Sequence, residues 1–280
     1  MKQEFSLAHL TVIECSPAEM TYIAARTGYD YVSLRLIPMG VPGERAFLPQ
    51  DKQMVKETKT ALQDTGVRFL DLELARILPD KDPQEYVPAM ELAAELGARH
   101  VISSAWNIAP EDHNFIVERY AQICELAKPF GLTVELEFPS FSSITSLREA
   151  TAIIRRAGNS NCGLLLDTLY FHFSGLTPEE LTEIPREWFH FLHLCDSVAT
   201  VPETKEGKIR IARDERLYIG EGCIDFASVF SAIPQVPFSI ELPNSKRVKE
   251  LGYEEHARRC IESAKQYLQN HSFAKASVSA

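Results

Sequence analysis

Eight short β-rich runs recur along the chain, and a segment with helical periodicity follows each of them. The runs cover residues 5–10, 29–36, 67–74, 99–105, 132–138, 162–169, 188–195 and 237–243. Strands that alternate with helices of this length form βαβ units and a parallel sheet. Eight units in 280 residues match the count and size of a (β/α)₈ (TIM) barrel of the α/β class. We predict a single-domain barrel over residues 1–270 and a disordered C-terminal tail over residues 271–280.

Start and stop signals delimit the helices between these runs. Ser16 and Pro17 open the first helical segment, and Gly28 closes it. The alternative to a barrel is a doubly wound open sheet, which favours a glycine-rich turn after its first strand. The sequence at that point, TVIECSPAEM, contains no glycine, so the barrel is the better prediction.

Charge and cysteine usage exclude several classes of protein. The chain has 39 acidic and 29 basic side chains, and its formal net charge of −10 disfavours binding to nucleic acid or to an anionic membrane. The six cysteines are scattered without CxxC pairs, which favours reduced thiols over a disulfide framework. No signal peptide or long apolar run is apparent. We therefore predict a cytoplasmic protein without a membrane or nucleic-acid partner, and leave homo-oligomerisation open.

The alternation within the strands predicts which side chains point into the barrel. Taking charged residues as inward leaves aliphatic or aromatic residues on the outward face, which the helices must cover. In the third strand this pattern places Glu73 inward and Leu70, Leu72 and Leu74 outward. The inward charged residues also occur late in their strands, at the end of the barrel where active sites lie.

The last four strands supply three carboxylates and one imidazole. Each contributes one candidate, namely Glu135 or Glu137, Asp167, His193 and Glu241. Oxygen and nitrogen ligands suit a divalent cation such as Mn²⁺, Mg²⁺, Co²⁺, Fe²⁺ or Zn²⁺. Without a cation, the carboxylates would repel one another inside a barrel. A single histidine such as His193 is more often a core residue, so the prediction depends on the four together.

Several segments resemble the xylose isomerase-like TIM-barrel family, the sugar phosphate isomerases/epimerases. They are LEFPS, LLLDTLYFHFSG, FLHLCDS, DERLYIGEGCIDF and SIELPN, and the first half of the chain agrees more loosely. The resemblance implies that one divalent metal is held by Glu137, Asp167, His193 and Glu241. It selects Glu137 over Glu135, and it implies that Arg216 binds substrate.

The sequence departs from this family at one substrate contact. Family members often have a histidine three residues after the strand-six aspartate, whereas this chain has Tyr170 there and a histidine only at His172. Either Tyr170 takes over the contact or the substrate differs. The complete set of predicted substrate-binding residues is His9, Arg35, Glu73, Tyr170, His172 and Arg216.

The predicted chemistry is proton transfer next to a carbonyl. A metal that chelates a carbonyl and a neighbouring hydroxyl stabilises an ene-diolate, and Glu137 and Glu241 would serve as base and acid. The expected enzyme is an isomerase or epimerase of a small sugar, sugar phosphate or keto-acid. A dehydratase using the same enolate is the alternative. An endonuclease-like barrel is less favoured, because a nuclease needs a basic face and this chain is acidic. A metal-free barrel that binds a ligand without catalysis is also less favoured.

Several neighbouring polar residues have two interpretations. Arg35 and Arg216 suit an anionic substrate end, or they form ion pairs with acids of the barrel. Glu135, one layer deeper than Glu137, is expected to pair with an arginine or to support the metal ligands. Cys195 and Asp196 either orient the imidazole of His193 or simply end the strand.

Overall fold

The computed structural model describes residues 2–40 and 44–271, and these form a closed barrel of eight parallel strands. Each strand pairs with its neighbours in sequence, and β1 also pairs with β8. The strands are β1 Phe5–Ala8, β2 Tyr31–Arg35, β3 Arg68–Ile77, β4 His100–Ala105, β5 Thr133–Glu137, β6 Cys162–Asp167, β7 Leu192–Leu194 and β8 Phe238–Ile240. The predicted single-domain (β/α)₈ barrel is confirmed, and closure by β1 and β8 excludes the open sheet. The predicted tail, apart from His271, lies outside the described residues.

Helices connect the strands and cover the outside of the barrel. The α-helices are α1 Pro17–Thr27, α2 Lys52–Thr65, α3 Val87–Glu95, α4 His113–Ala127, α5 Leu147–Ala157, α6 Thr168–Phe173, α7 Pro178–Thr182, α8 Lys205–Asp214, α9 Phe226–Ala232, α10 Ser245–Leu251 and α11 Tyr253–Asn270. Helix α1 begins with a capping box, in which Ser16 and Glu19 each satisfy a backbone N–H of the other. It ends at Gly28, whose φ of 87° is left-handed and suits glycine. The start and stop signals around α1 are therefore as predicted.

Strand β3 departs from the predicted alternation. Its pairing register shifts twice, once against β2 and once against β4. Leu72 belongs to the main core, as expected of an outward residue. Leu70 belongs instead to a small separate cluster and the partly buried Leu74 packs against it, so their predicted outward orientation is wrong. A bulge inserts an extra residue into one strand, and the two-residue alternation cannot continue through it.

The small cluster forms an apolar layer inside the barrel. Its buried members are Leu70, Ile102, Leu165 and Phe191. Ile102 on β4 is the register partner of Glu135, and Leu165 on β6 is the register partner of Glu137. Both apolar side chains therefore point into the barrel, as the two glutamates do. The ring of Phe191 contacts the rings of both His193 and His100, with centroids 5.9 Å and 5.4 Å apart. The layer thus separates two groups of polar side chains within the barrel.

Two sequence expectations concern the chain as a whole. The six cysteines all lie in the described residues and are free thiols, in agreement with the absence of CxxC pairs. Among residues 2–40 and 44–271, none of the helices has the length and apolar character that crossing a bilayer requires.

Candidate active site

The strand ends at the mouth of the barrel bring four predicted ligands together. Glu137 and Asp167 end β5 and β6, His193 lies in β7, and Glu241 directly follows β8. One donor atom from each residue lies within 4.8 Å of the others. The Nδ1 atom of His193 is 3.5 Å from Glu137 Oε1 and 3.4 Å from Glu241 Oε2. All four side chains are buried.

This group fits a divalent cation. Both ring nitrogens of His193 are buried and make no hydrogen bond within the described part of the chain. Leaving such atoms without a partner costs free energy. Metal bonds of about 2.0–2.2 Å place ligand atoms of a tetrahedral site roughly 3.3–3.6 Å apart, close to the separations observed here. The residues that would hold the ion are therefore Glu137, Asp167, His193 and Glu241.

Arg216 is buried beside the mouth and pairs with two of its carboxylates, those of Asp167 and Glu241. Its Nη1 atom lies 2.8 Å from Asp167 Oδ2, and its Nη2 atom lies 2.8 Å from Glu241 Oε2. It also donates to the backbone oxygens of Ala212 and Glu241, and its side chain is only 1% exposed. Of the two interpretations, the ion pair is the one that the structure contains. The burial of Arg216 favours this role over the direct substrate contact implied by the family resemblance, which stays a prediction.

Burial and neighbouring charges shift the acids in opposite directions. Burial raises the pKa of Glu137 to about 7; His193 opposes this shift, and Glu241 and Asp167 add smaller upward contributions. The pKa of Asp167 is also raised by burial, although Arg216 opposes the shift. Burial acts in the same direction on Glu241, but His193 and Arg216 outweigh it and lower the pKa. Glu137 is thus the mouth carboxylate most ready to carry a proton near neutral pH.

Metal uptake should therefore depend on pH. In the metal-free protein, Glu137 with a pKa of about 7 holds a proton that a cation must displace, and His193 holds another because Glu241 and Glu137 raise its pKa against burial. Below about pH 7 we expect affinity for Zn²⁺ to fall about 10- to 100-fold per pH unit, for one or two displaced protons. Chelator competition between about pH 6 and about pH 8 measures this slope. A flat profile would contradict the assignment of these ligands.

A second ion pair borders the mouth on the β2 and β3 side. Arg35 Nη2 lies 2.9 Å from Glu73 Oε2, and Glu73 is 3% exposed. The other oxygen of Glu73 is buried without a hydrogen-bond partner in residues 2–40 and 44–271. Burial and Glu241 raise the pKa of Glu73, whereas Arg35 lowers it. Arg35 thus pairs with an acid of the barrel, as one of its two interpretations predicted, and its side chain remains 14% exposed.

His9 has both ring nitrogens engaged by the backbone. Its Nδ1 atom accepts a hydrogen bond from the N–H of Arg35, and Nε2 donates to the carbonyl oxygen of Cys15. Burial and the Arg35 charge lower the pKa of His9 to about 3, so the ring is neutral. It has no free nitrogen for a substrate. The ring stacks on Phe47 with centroids 5.6 Å apart.

A cavity of about 500 Å³ adjoins this part of the mouth. His9, Arg35, Arg45 and Phe47 are among its lining residues. It is large enough for a small polar ligand, and it places two guanidinium groups beside that ligand.

Tyr170 and His172 are the two candidates for the substrate contact at which this sequence departs from the family, and they lie in different surroundings. The Tyr170 ring faces Arg216, with 5.8 Å between the guanidinium carbon and the ring centroid, and it packs edge-on against Phe141. His172 Nε2 lies 3.1 Å from the carbonyl oxygen of Val198. Tyr170 is therefore the candidate of the two that is brought to the metal-ligand group.

Other polar residues near the site differ from expectation. Glu135 contacts His100, His190 and Thr133, so its predicted pairing with an arginine is wrong. Asp196 accepts hydrogen bonds from four backbone N–H groups in the chain segments that follow it, including those of Gly220 and Gly222. It organises that loop and does not orient His193.

Sequence reasoning missed Asp71, which is fully buried and accepts a hydrogen bond from Ser33. Burial and Glu73 raise its pKa well above the usual range. The run LDLEL contains the signal, because Asp71 precedes Glu73 by two positions, the spacing of residues on one face of a strand.

Comparison with proteins of known structure agrees with the barrel. The IolI protein with a bound zinc atom superposes with a TM-score of 0.78 at 20% identity, over 96% of this chain and 100% of that one. The D-allulose 3-epimerase from Methylomonas sp. superposes with a TM-score of 0.69 at 19% identity, over 95% and 97% of the two chains. At these identities the likeness concerns the fold.

Sequence comparison finds a curated relative and a family. Inosose isomerase from Bacillus subtilis strain 168 is 26% identical over 163 residues, which are 55% of this chain and 56% of the relative. The chain thus spans little more than half the length of that relative. The family described as xylose isomerase-like TIM barrel matches residues 22–267, which confirms the resemblance. The chain therefore belongs to the xylose isomerase-like TIM barrel family.

Proposed function

We propose that this protein is a divalent-metal-dependent isomerase or epimerase of a small polyhydroxylated carbonyl compound, namely a sugar, sugar phosphate or keto-acid. The observation that carries the proposal is the buried group of Glu137, Asp167, His193 and Glu241 at the mouth, with the unpartnered nitrogens of His193 at its centre. The names of an inosose isomerase and a D-allulose 3-epimerase among similar proteins support this substrate class. The zinc atom of IolI supports a metal.

The residues of the mouth would have different roles in such a reaction. When bound, a divalent ion would supply Lewis acidity toward the substrate carbonyl and its neighbouring hydroxyl. Glu137 and Glu241, on either side of His193, would take the proton from the carbon next to the carbonyl and return one from another direction. A pKa near 7 for Glu137 makes both of its protonation states accessible at neutral pH. Arg216 would hold Asp167 and Glu241 in place without touching the substrate.

The adjoining cavity would take the part of the substrate remote from the reacting carbon. Arg35 and Arg45 line it, which favours an anionic group such as a carboxylate or phosphate. Arg35 pairs with the buried Glu73 at 2.9 Å, whereas Arg45 has a longer, exposed contact with Glu19 at 3.7 Å and a side chain 56% exposed, so Arg45 is the more available of the two. The side chain of Phe47 would cover an apolar stretch of the ligand.

Proton exchange in D₂O tests the proposal. The metal-free protein is incubated with ketoses, inososes, sugar phosphates and keto-acids, with and without Mn²⁺, Co²⁺ or Zn²⁺, and deuterium incorporation is followed by NMR. We expect metal-dependent incorporation at the carbon next to the carbonyl of at least one substrate, with formation of its isomer or epimer. A dehydrated product would identify the alternative lyase reaction. No exchange with any metal would contradict an enolising site.

A further inference from the structure

A second group of metal-binding side chains lies inside the barrel, away from the mouth. It consists of His100, the first residue of β4, Glu135 in β5, and His190, which precedes β7. One donor atom from each lies within 4.8 Å of the others. His100 Nδ1 is 3.3 Å and His190 Nδ1 is 2.9 Å from Glu135 Oε1. We call these three residues the lower cluster.

The lower cluster is separate from the candidate active site. The ring of Phe191 contacts a histidine of each group, His100 and His193, and it belongs to the apolar layer inside the barrel. His100 is the first residue of β4, and Glu135 precedes the mouth residue Glu137 by two positions in β5. The cluster therefore faces the N-terminal end of the barrel. The side chains of His100 and His190 are 11% and 27% exposed, so ions can reach them from that end.

Hydrogen bonding leaves the lower cluster incompletely satisfied. Glu135 is 1% exposed, and its Oε2 atom has no hydrogen-bond partner in the described ranges of the chain. The same holds for His190 Nδ1, which lies close to Glu135 but is not directed at it with hydrogen-bond geometry. The hydroxyl of Thr133 bridges two members of the cluster, since it donates to Glu135 and lies 2.6 Å from His100 Nδ1. Leaving one buried carboxylate oxygen and one imidazole nitrogen without a hydrogen bond is costly unless another ligand joins them.

The neighbouring strand leaves room for this arrangement. Gly163 on β6 is the register partner of Glu135. A Cβ atom at position 163 would lie 1.9 Å from Glu135 Oε2 and 2.7 Å from His190 Nδ1. Any side chain there would displace both groups, so glycine is required while Glu135 and His190 occupy these positions.

We propose that the lower cluster is a second divalent-cation site, with Glu135, His100 and His190 as ligands. Two imidazoles and one carboxylate favour Zn²⁺ or Co²⁺ over Mg²⁺ or Ca²⁺, which prefer oxygen ligands. In a tetrahedral zinc site, ligand atoms stand roughly 3.3–3.6 Å apart, so the observed 3.3 Å already lies at the edge of this range and the observed 2.9 Å must lengthen by a few tenths of an ångström. The ion would join β4, β5 and the segment before β7, as a structural metal does.

Metal counting tests this site independently of the proposed function. Chelated protein is reloaded with Zn²⁺, desalted, and analysed for zinc per chain by mass spectrometry. In an Asp167→Asn background, which weakens the mouth site, adding His190→Gln or Glu135→Gln should remove one equivalent of zinc. Either of these two changes, made alone in the wild-type background, should also remove one equivalent of zinc. Equal zinc content with and without these changes overturns the second site, whatever the mouth binds.

A matched control and a wild-type measurement complete the test. His113 forms a more exposed pair with Glu149, and His113→Gln should leave the zinc content unchanged. If the variants of the lower cluster do not fold, histidine modification by diethyl pyrocarbonate is compared in the wild-type protein with and without Zn²⁺. Bound zinc should slow modification of His100 and His190 at least tenfold, while His113 reacts at the same rate. Unchanged rates at His100 and His190 overturn the proposal.

Discussion

Glu137→Gln and Glu241→Gln are each expected to lower metal-dependent proton exchange by about 10²- to 10⁴-fold, the usual contribution of a general acid or base. An amide of the same shape cannot accept the substrate proton. Each variant also loses a charged ligand, so exchange must be measured at metal concentrations that saturate the variant. Deuterium incorporation under those conditions reports the loss of proton transfer, and a separate titration reports the loss of metal affinity.

Glu95→Gln is the matched control for this experiment. It makes the same chemical change on an exposed side chain of α3 that pairs with Lys59, outside both groups of candidate ligands. We expect it to retain wild-type exchange. If Glu137→Gln or Glu241→Gln exchanged at the wild-type rate with metal bound, that residue would have no acid–base role.

Arg216→Met is expected to lower the free energy of unfolding of the metal-free protein by about 3–5 kcal/mol, as is usual when one partner of a buried ion pair is removed. The reason is that Asp167 and Glu241 lose the buried guanidinium that both contact. Addition of Zn²⁺ should recover part of this loss, because a cation at the mouth neutralises the same carboxylates. Urea unfolding with chelator and with Zn²⁺ measures both effects.

Arg210→Met is the control for Arg216→Met. Arg210 pairs with Glu215, but its side chain is 60% exposed, and exposed pairs contribute about 0–1 kcal/mol. Zinc should not alter its small effect. An Arg216→Met protein as stable as Arg210→Met would show that the buried pair does not stabilise the site.

The predicted positions of the four mouth residues follow from local pattern. Two-residue alternation sets which side chains face inward, and the eight repeats set the barrel, whose strand ends converge at one mouth. Glu137, Asp167, His193 and Glu241 are consequently brought together as predicted. Their role as metal ligands stays a prediction that the metal titrations test. The resemblance added the choice of Glu137 over Glu135.

Predictions failed where the outcome depends on partners distant in sequence. Alternation cannot reveal the bulges of β3, because they depend on pairing with β2 and β4, and so Leu70 was assigned to the wrong face. Arg216 follows a helix, and its burial against Asp167 arises from packing 49 positions away in sequence. A charged residue outside a strand has no periodic signal that indicates its environment.

By itself, the sequence determined the eight-stranded barrel, the inward acids and the divalent-metal chemistry expected at the mouth, because these depend on periodicity and on the kind of side chain at each strand end. Only the tertiary structure decided which charges pair. It placed Arg216 behind the carboxylates, Arg35 against Glu73, and Glu135 between two histidines. Pairing depends on distances of a few ångströms between strands that are far apart in the chain, and those distances arise only when the barrel closes.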